Sequence, residues 1–92
     1  MTEALIEKKV CEFAQLHNFW VRKFTGRRGV PDRIFISPPP ASLTFFIEFK
    51  TPQGVLSAMQ KREIRLLKKQ GAVVFIVDSF EGGKEIILGY NL

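Results

Sequence analysis

The spacing of apolar residues changes along the chain, and each change predicts a new element. From Thr2 to about Asn18 they recur every three or four residues, as in a helix with one apolar face, and Thr2 can cap its first amides. The following run, Phe19 to Phe24, is rich in aromatic and β-branched residues. This composition favours a first strand.

Two more strands are predicted after that run. Arg33 to Ser37 is short, and Pro38 to Pro40 end it because proline cannot donate to a β-ladder. Leu43 to Lys50 alternates strictly between two faces. One face has Leu43, Phe45, Ile47 and Phe49, and the other has Thr44, Phe46, Glu48 and Lys50. We expect the three strands to form a meander.

A second helix is predicted from Ser57 to Gln70, with Ser57 and Gln60 at the spacing of a capping box. It is followed by Ala72 to Val77, which has the composition of a strand buried on both faces. A helix between two strands implies a parallel crossover.

Beyond Asp78 the pattern weakens: Gly82-Gly83 marks a turn, and Glu85 to Tyr90 fits either a terminal strand or a short helix. The order α-β-β-β-α-β therefore predicts one α/β domain over residues 1–92, with a mixed sheet flanked by helices.

Charge narrows the range of partners. Lys and Arg number 14 against 9 Asp and Glu, a net charge of +5 that favours a polyanion such as nucleic acid. Cys11 and His17 are the only cysteine and histidine, which excludes an intrachain disulfide and a cysteine-based zinc cluster and disfavours a Cys-His nucleophile pair. No apolar run can cross a bilayer, so we expect an intracellular protein, in the cytoplasm of a bacterium or of a phage-infected host.

Three charged residues form a candidate site. Asp32 follows a glycine-rich basic loop and Pro31, while Glu48 and Lys50 share one face of the third strand. Two carboxylates can hold a hard cation, and a nearby ammonium can assist phosphodiester hydrolysis. Taken singly, these residues also fit solvated charges on a strand and a turn cap. Their combination favours a function.

Pro31-Asp32, followed after fifteen intervening residues by Glu48-Phe49-Lys50, resembles the PD-(D/E)xK nuclease signature. The flanking segments Gly29 to Arg33, Phe46 to Pro52 and Leu56 to Lys61 are similar to the VRR-NUC branch of that superfamily. The resemblance runs from Glu7 to Val77. It implies a restriction-endonuclease-like core and a minimal, stand-alone member.

The resemblance also implies a metal site. Mg²⁺ or Mn²⁺ would be bound by Asp32, Glu48 and the backbone carbonyl of Phe49, with Lys50 beside the attacking water. Composition does not choose between the two cations.

Two helix residues are implied as neighbours of this site. Glu7 resembles the first-helix glutamate that touches the metal through water or assists a second ion, with Glu3 as a competing register. Gln60 resembles a glutamine near the active site, although the capping box explains it equally well.

Basic residues beside the site are candidates for phosphate contact. Arg27 and Arg28 adjoin Asp32, and Lys61 begins a basic run on the second helix that is otherwise typical of a solvated face. Trp20 and Tyr90 can stack on bases, but a strand tryptophan is more often part of a core. We assign these two aromatic residues no role.

The leading hypothesis is a metal-dependent endonuclease that hydrolyses DNA phosphodiester bonds. The resemblance implies structure-selective action on branched DNA, such as four-way (Holliday) junctions or flaps, in DNA repair, and a homodimer would suit such substrates. The alternative is an inactive nucleic-acid-binding module with a nuclease fold. A basic structural protein such as a ribosomal component ranks last, because it gives no reason for Glu48 beside Lys50.

Overall fold

The computed structural model describes residues 1–91 and contains, within them, a four-stranded sheet and three helices. The elements in chain order are α1 (Glu3–Leu16), β1 (Trp20–Lys23), β2 (Arg33–Ile36), β3 (Thr44–Phe49), α2 (Ala58–Lys69), β4 (Val74–Val77) and α3 (Phe80–Tyr90).

The sheet has the strand order β1-β2-β3-β4. The first three strands pair antiparallel as the predicted meander, and α2 carries the chain to β4, which lies parallel to β3. Both connections confirm the expectations from the sequence. The register aligns Arg33 with Ile47, which brings Asp32, one residue earlier, opposite Glu48.

One face of the sheet forms the core with α1 and α3. Its buried side chains include Val21, Phe35, Phe45, Ile47 and Phe49. The stacked rings of Phe35 and Phe45, with centroids 5.1 Å apart, lie at its centre.

The α1 and α3 helices meet at Gly83. A Cβ at this position would lie 2.4 Å from a methyl carbon of Val10, so the close approach of the two helices requires glycine. The Gly82-Gly83 pair, which the sequence analysis took to mark a turn, is therefore inside a helix. Ser79 caps that helix by accepting from the Gly82 amide at 3.0 Å.

The opposite face is covered only in part. The α2 helix packs against β4 and reaches Glu48 through Gln60. The prediction that β4 is buried on both faces is wrong, because β4 is an edge strand and Ile76 is 49% exposed. The even-numbered side chains of β1 and β2 are left without a helix over them, as the exposed Trp20 and Arg22 show.

The caps of the first two helices follow the predicted chemistry. Oγ1 of Thr2 accepts from the Leu5 amide at 3.1 Å. Ser57 and Gln60 form a complete capping box at the start of α2.

Among residues 1–91, no helix combines the length and apolar character needed to traverse a bilayer.

Candidate active site

The structure brings Asp32, Glu48 and Lys50 together at one end of the sheet. Asp32 lies just before β2, and Glu48 and Lys50 lie at the end of β3. Oδ2 of Asp32 accepts a hydrogen bond of 2.7 Å from the backbone amide of Phe49. This bond ties the aspartate, just before β2, to the end of β3.

Glu48 is a buried acid with one unpartnered oxygen. Its side chain is 1% exposed, and its Oε2 accepts from Nε2 of Gln60 at 2.9 Å and lies 3.9 Å from Nζ of Lys50. Its Oε1 is buried without a hydrogen-bond partner. A buried polar atom left in this way is destabilising unless a ligand satisfies it. The oxygen chemistry of this position suits a hard cation.

Both carboxyl groups have raised pKa values. Burial raises the pKa of Glu48 to about 7, the neighbouring Asp32 adds to the rise, and Lys50 opposes it. Burial also raises the pKa of Asp32, while the bond from the Phe49 amide opposes that rise. Two close carboxylates in a buried site resist ionising together, and a cation between them would reverse this effect.

Gln60 has both of the roles that the sequence left open. Its Oε1 accepts from the Ser57 amide at 2.9 Å as part of the capping box, and its Nε2 bonds Glu48. The two ends of one side chain thus link the start of α2 to the buried carboxylate.

Glu7 lies near the site but is paired with another residue. Its Oε2 accepts from Nε of Arg33 at 2.6 Å, and its charge contributes to raising the pKa of Asp32. Glu3, the competing register, is exposed, and its charge acts on the pKa of Glu48. Arg33 is not among the site residues that the sequence predicts. The available signal was a cation on the otherwise apolar face of β2.

The loop before Asp32 is seated against α2. Gly29 has a φ of +93°, and a Cβ there would lie 2.6 Å from the carbonyl oxygen of Met59. Nε of Arg27 lies 3.6 Å from Oε2 of Glu63, a buried acid that the sequence analysis missed. Glu63 is the sole acid in α2, and this isolation among cations was the signal.

The expected phosphate contacts remain accessible. Arg27, Arg28 and Lys61 are all exposed. Of the two aromatic residues, Tyr90 packs on Phe45 with ring centroids 4.6 Å apart, whereas Trp20 is exposed.

Cys11 lies in the core and His17 packs on an aromatic ring, which fits a structural role for each. Cys11 is buried, which raises the pKa of its thiol to about 11 and keeps it protonated at neutral pH. His17 packs on Phe13 with ring centroids 4.5 Å apart.

Two concavities of the surface lie elsewhere. One of about 450 Å³ is lined by Glu12, Gln15 and Leu16, on α1. Another, of about 170 Å³, lies between the first residues of α1 and the start of α3. Neither is lined by Asp32 or Glu48, so the candidate site is identified by its chemistry rather than by a cavity. A phosphodiester backbone needs no enclosed pocket.

The carboxylate pair is a sparse donor set. Within residues 1–91, no group of three or more His, Cys, Asp or Glu side chains is arranged to hold a metal ion. A cation at this site would complete its coordination with backbone oxygen or water beside the two carboxylates.

Comparison with known proteins identifies the family. The model of the VRR-NUC domain matches residues 4–81. A solved VRR_NUC domain structure is similar over 98% of this chain and 99% of its own, with 32% sequence identity and a TM-score of 0.83. No curated protein matches the chain. With three-quarters or more of its length covered by both the family model and the solved domain, the chain belongs to the VRR-NUC family of nucleases.

Proposed function

We propose that this protein is a divalent-metal-dependent endonuclease that hydrolyses DNA phosphodiester bonds. Its active site is formed by Asp32, Glu48 and Lys50. The observation that carries the proposal is the buried, unpartnered Oε1 of Glu48 beside Asp32. A purely structural carboxylate in this position would be expected to have both oxygens satisfied.

The residues present fit a hard cation. Asp32 and Glu48, together with the backbone carbonyl of Phe49, would hold Mg²⁺ or Mn²⁺, because such ions prefer oxygen donors. The bound ion would neutralise charge on the phosphate and make water a better nucleophile. Glu7 is proposed as an outer residue, because its charge acts on Asp32 while one of its oxygens bonds Arg33.

Lys50 supplies the positive charge of the site. Its Nζ is held near Oε2 of Glu48, and its side chain is mostly buried. A preorganised ammonium in a partly dry site stabilises negative charge that develops on the phosphate oxygens, and can orient the water beside it by donating a hydrogen bond to the water oxygen. Gln60 keeps the Glu48 carboxylate in the orientation that Lys50 faces.

Substrate choice is proposed to depend on backbone shape. Arg27, Arg28 and Lys61 are exposed cations suited to phosphate contact, which carries no base information. We therefore propose branched DNA as the substrate, in a repair setting, with a homodimer placing two sites on two strands. The buried single cysteine suits a reducing intracellular compartment, the cytoplasm of a bacterium or of an infected host. Cleavage confined to one base sequence across many junctions would contradict the shape-based choice.

The test compares wild type with Asp32→Asn and Lys50→Ala on labelled four-way junction, flap and linear duplex DNA, with Mg²⁺, with Mn²⁺ and with chelator. Lys8→Ala is the matched control, because Lys8 is an exposed lysine on α1. We expect metal-dependent cutting by wild type and the control, and a loss of at least about 100-fold in the two site variants.

Metal binding is measured separately by calorimetry with Mn²⁺. Asp32→Asn should weaken it and Lys50→Ala should not. If folded wild type binds these DNAs but cuts none with either metal, the chain is an inactive nucleic-acid-binding module.

A further inference from the structure

Trp20 is a large aromatic residue outside the core. It is the only tryptophan of the chain and is 45% exposed, whereas the next residue, Val21, is buried. Because side chains alternate along a strand, Trp20 and Arg22 lie together on the face opposite the core. With the half-buried Ile34 and Ile36 of β2 beside it, Trp20 belongs to a contiguous apolar surface, which is a candidate for binding.

Arg22 contacts the indole and is anchored by a hydrogen bond to the backbone. Its guanidinium carbon lies 4.6 Å from the centroid of the Trp20 ring, and its NH1 donates a hydrogen bond of 2.8 Å to the Val21 carbonyl. The guanidinium is therefore anchored at one nitrogen, with its other donors available to a ligand. An indole with a guanidinium against it offers stacking surface and positive charge together.

This surface is continuous with the candidate active site. Trp20 is paired with Ile36 and Arg22 with Ile34, so all four side chains are on the face that also bears Asp32. Asp32 lies just before β2 and four residues before Ile36, a distance of about 13 Å at the rise of a β-strand. Roughly four stacked nucleotides cover this distance at 3.4 Å each.

The charge on this surface favours a polyanion. Arg22 is a cation on this face of β1, and the loop that follows β1 adds Arg27 and Arg28. A second copy of the chain related by a two-fold axis through this face would bring Arg22 towards its own equivalent. Like charges facing each other in an interface are unfavourable.

We propose that Trp20 and Arg22 form a stacking platform for unpaired nucleotides that lead away from the scissile bond. A base stacks on the exposed indole, and Arg22 contacts the adjoining phosphate. The inference rests on the proposed function for its substrate and deepens it, because it selects DNA with a single-stranded segment beside the site of cutting.

The experiment uses the full chain in chelator, where no cutting occurs. Trp20 is the sole tryptophan, so its emission reports on this surface alone. Oligothymidylate and a blunt-ended DNA hairpin are titrated separately, with emission and the anisotropy of labelled DNA followed together. We expect oligothymidylate to quench the emission at the concentrations at which it binds, and the hairpin to bind with little quenching.

Variants separate stacking from bulk charge. Trp20→Ala is expected to weaken oligothymidylate binding about 5- to 100-fold, in line with the loss of one stacked base, and to change hairpin binding less than two-fold. Trp20→Phe should retain most of the affinity. Leu16→Ala is the matched control, since Leu16 is a large exposed side chain on α1, at 81% exposure, and its loss should have no effect.

Three results would overturn the proposal. They are unchanged emission while oligothymidylate binds, equal losses for hairpin and oligothymidylate in Trp20→Ala, and conversion of a dimer to a monomer by Trp20→Ala in sedimentation, which would assign the surface to a second copy. Because the measurement uses neither metal nor cleavage, its failure is distinguishable from a failure of Asp32 and Glu48 to form a nuclease site.

Discussion

Nε2 of Gln60 donates a hydrogen bond of 2.9 Å to Oε2 of Glu48, which joins the first turn of α2 to the end of β3. The same side chain closes the capping box through its Oε1. A change at Gln60 therefore affects helix stability and the candidate site together, and the two effects can be separated.

We expect Gln60→Ala to lower both stability and metal affinity. Loss of the capping box should reduce the free energy of unfolding by about 1 kcal/mol. Loss of the donor to Glu48 releases its carboxylate from a fixed orientation, and disrupting such an outer partner typically weakens metal binding about 10- to 100-fold. Thermal melts and Mn²⁺ calorimetry measure the two effects.

Ser57→Ala is the control for this prediction, because Ser57 belongs to the capping box and Gln60 remains to bond Glu48. It should lower stability by a similar amount and leave metal affinity within about two-fold. Equal metal affinity in Gln60→Ala and Ser57→Ala would show that Gln60 acts on the helix alone.

Metal-free protein should lose stability as the pH rises from about 5 to 8. The folded state raises the pKa of Glu48 from its ordinary 4.5 to about 7, so between these values the folded chain binds more protons than the unfolded chain. The contribution is fully present below 4.5 and is lost as the pH passes 7. It amounts to at most about 3 kcal/mol, and melting in chelator at each pH measures it.

Glu48→Gln is the control for the pH prediction, because it removes the titrating group while keeping the shape. The variant should melt with a flatter dependence on pH, and Mg²⁺ should stabilise the wild type increasingly as the pH rises through 7. An equally steep fall in Glu48→Gln would assign the dependence to other groups.

The pair formed by Glu7 and Arg33 should stabilise the contact between α1 and β2. Its hydrogen bond of 2.6 Å joins two side chains that are mostly buried, Glu7 at 21% exposure and Arg33 at 28%. We expect a coupling free energy of about 1–2 kcal/mol, since charged hydrogen bonds exceed neutral ones but solvent screens this pair in part. The double-mutant cycle combines Glu7→Gln with Arg33→Gln, and urea denaturation measures it. Additive losses would mean that the pair contributes no interaction of its own.

Gly29→Ala should destabilise the protein more than Gly26→Ala. Both glycines have positive φ, so each substitution strains the backbone. A Cβ at Gly26 meets nothing within 4 Å, whereas one at Gly29 meets the Met59 backbone. We expect a loss of about 1 kcal/mol for Gly26→Ala and at least about 1 kcal/mol more for Gly29→Ala. Comparable melting temperatures would mean that the loop moves freely away from α2.

The sequence predicts well what depends on local pattern. The alternation of Leu43 to Lys50 placed Glu48 and Lys50 on one face of β3, and the spacing of Ser57 and Gln60 gave the start of α2. The sequence does not predict features that depend on residues far apart in the chain. Arg33 pairs with a glutamate 26 positions away, and the exposure of Ile76 follows from β4 lying at an edge.

The last helix shows the same limitation. Gly82 and Gly83 are poor helix formers and typical of turns, so their local preference pointed away from α3. The close approach to Val10 favours glycine at position 83 for a reason that appears only when α1 is in place. Tertiary packing here overrides intrinsic preference.

The contact of Gly29 with Met59 also determines the distance between two parts of the candidate site. The loop that ends at Asp32 touches the helix that bears Gln60 at a point where a single methyl group would push them apart. The distance between Asp32 and Gln60 therefore depends on the absence of a Cβ atom at position 29. A larger residue at position 29 would push the loop and the helix apart. It would thereby change the separation of the metal-facing groups without replacing any of them.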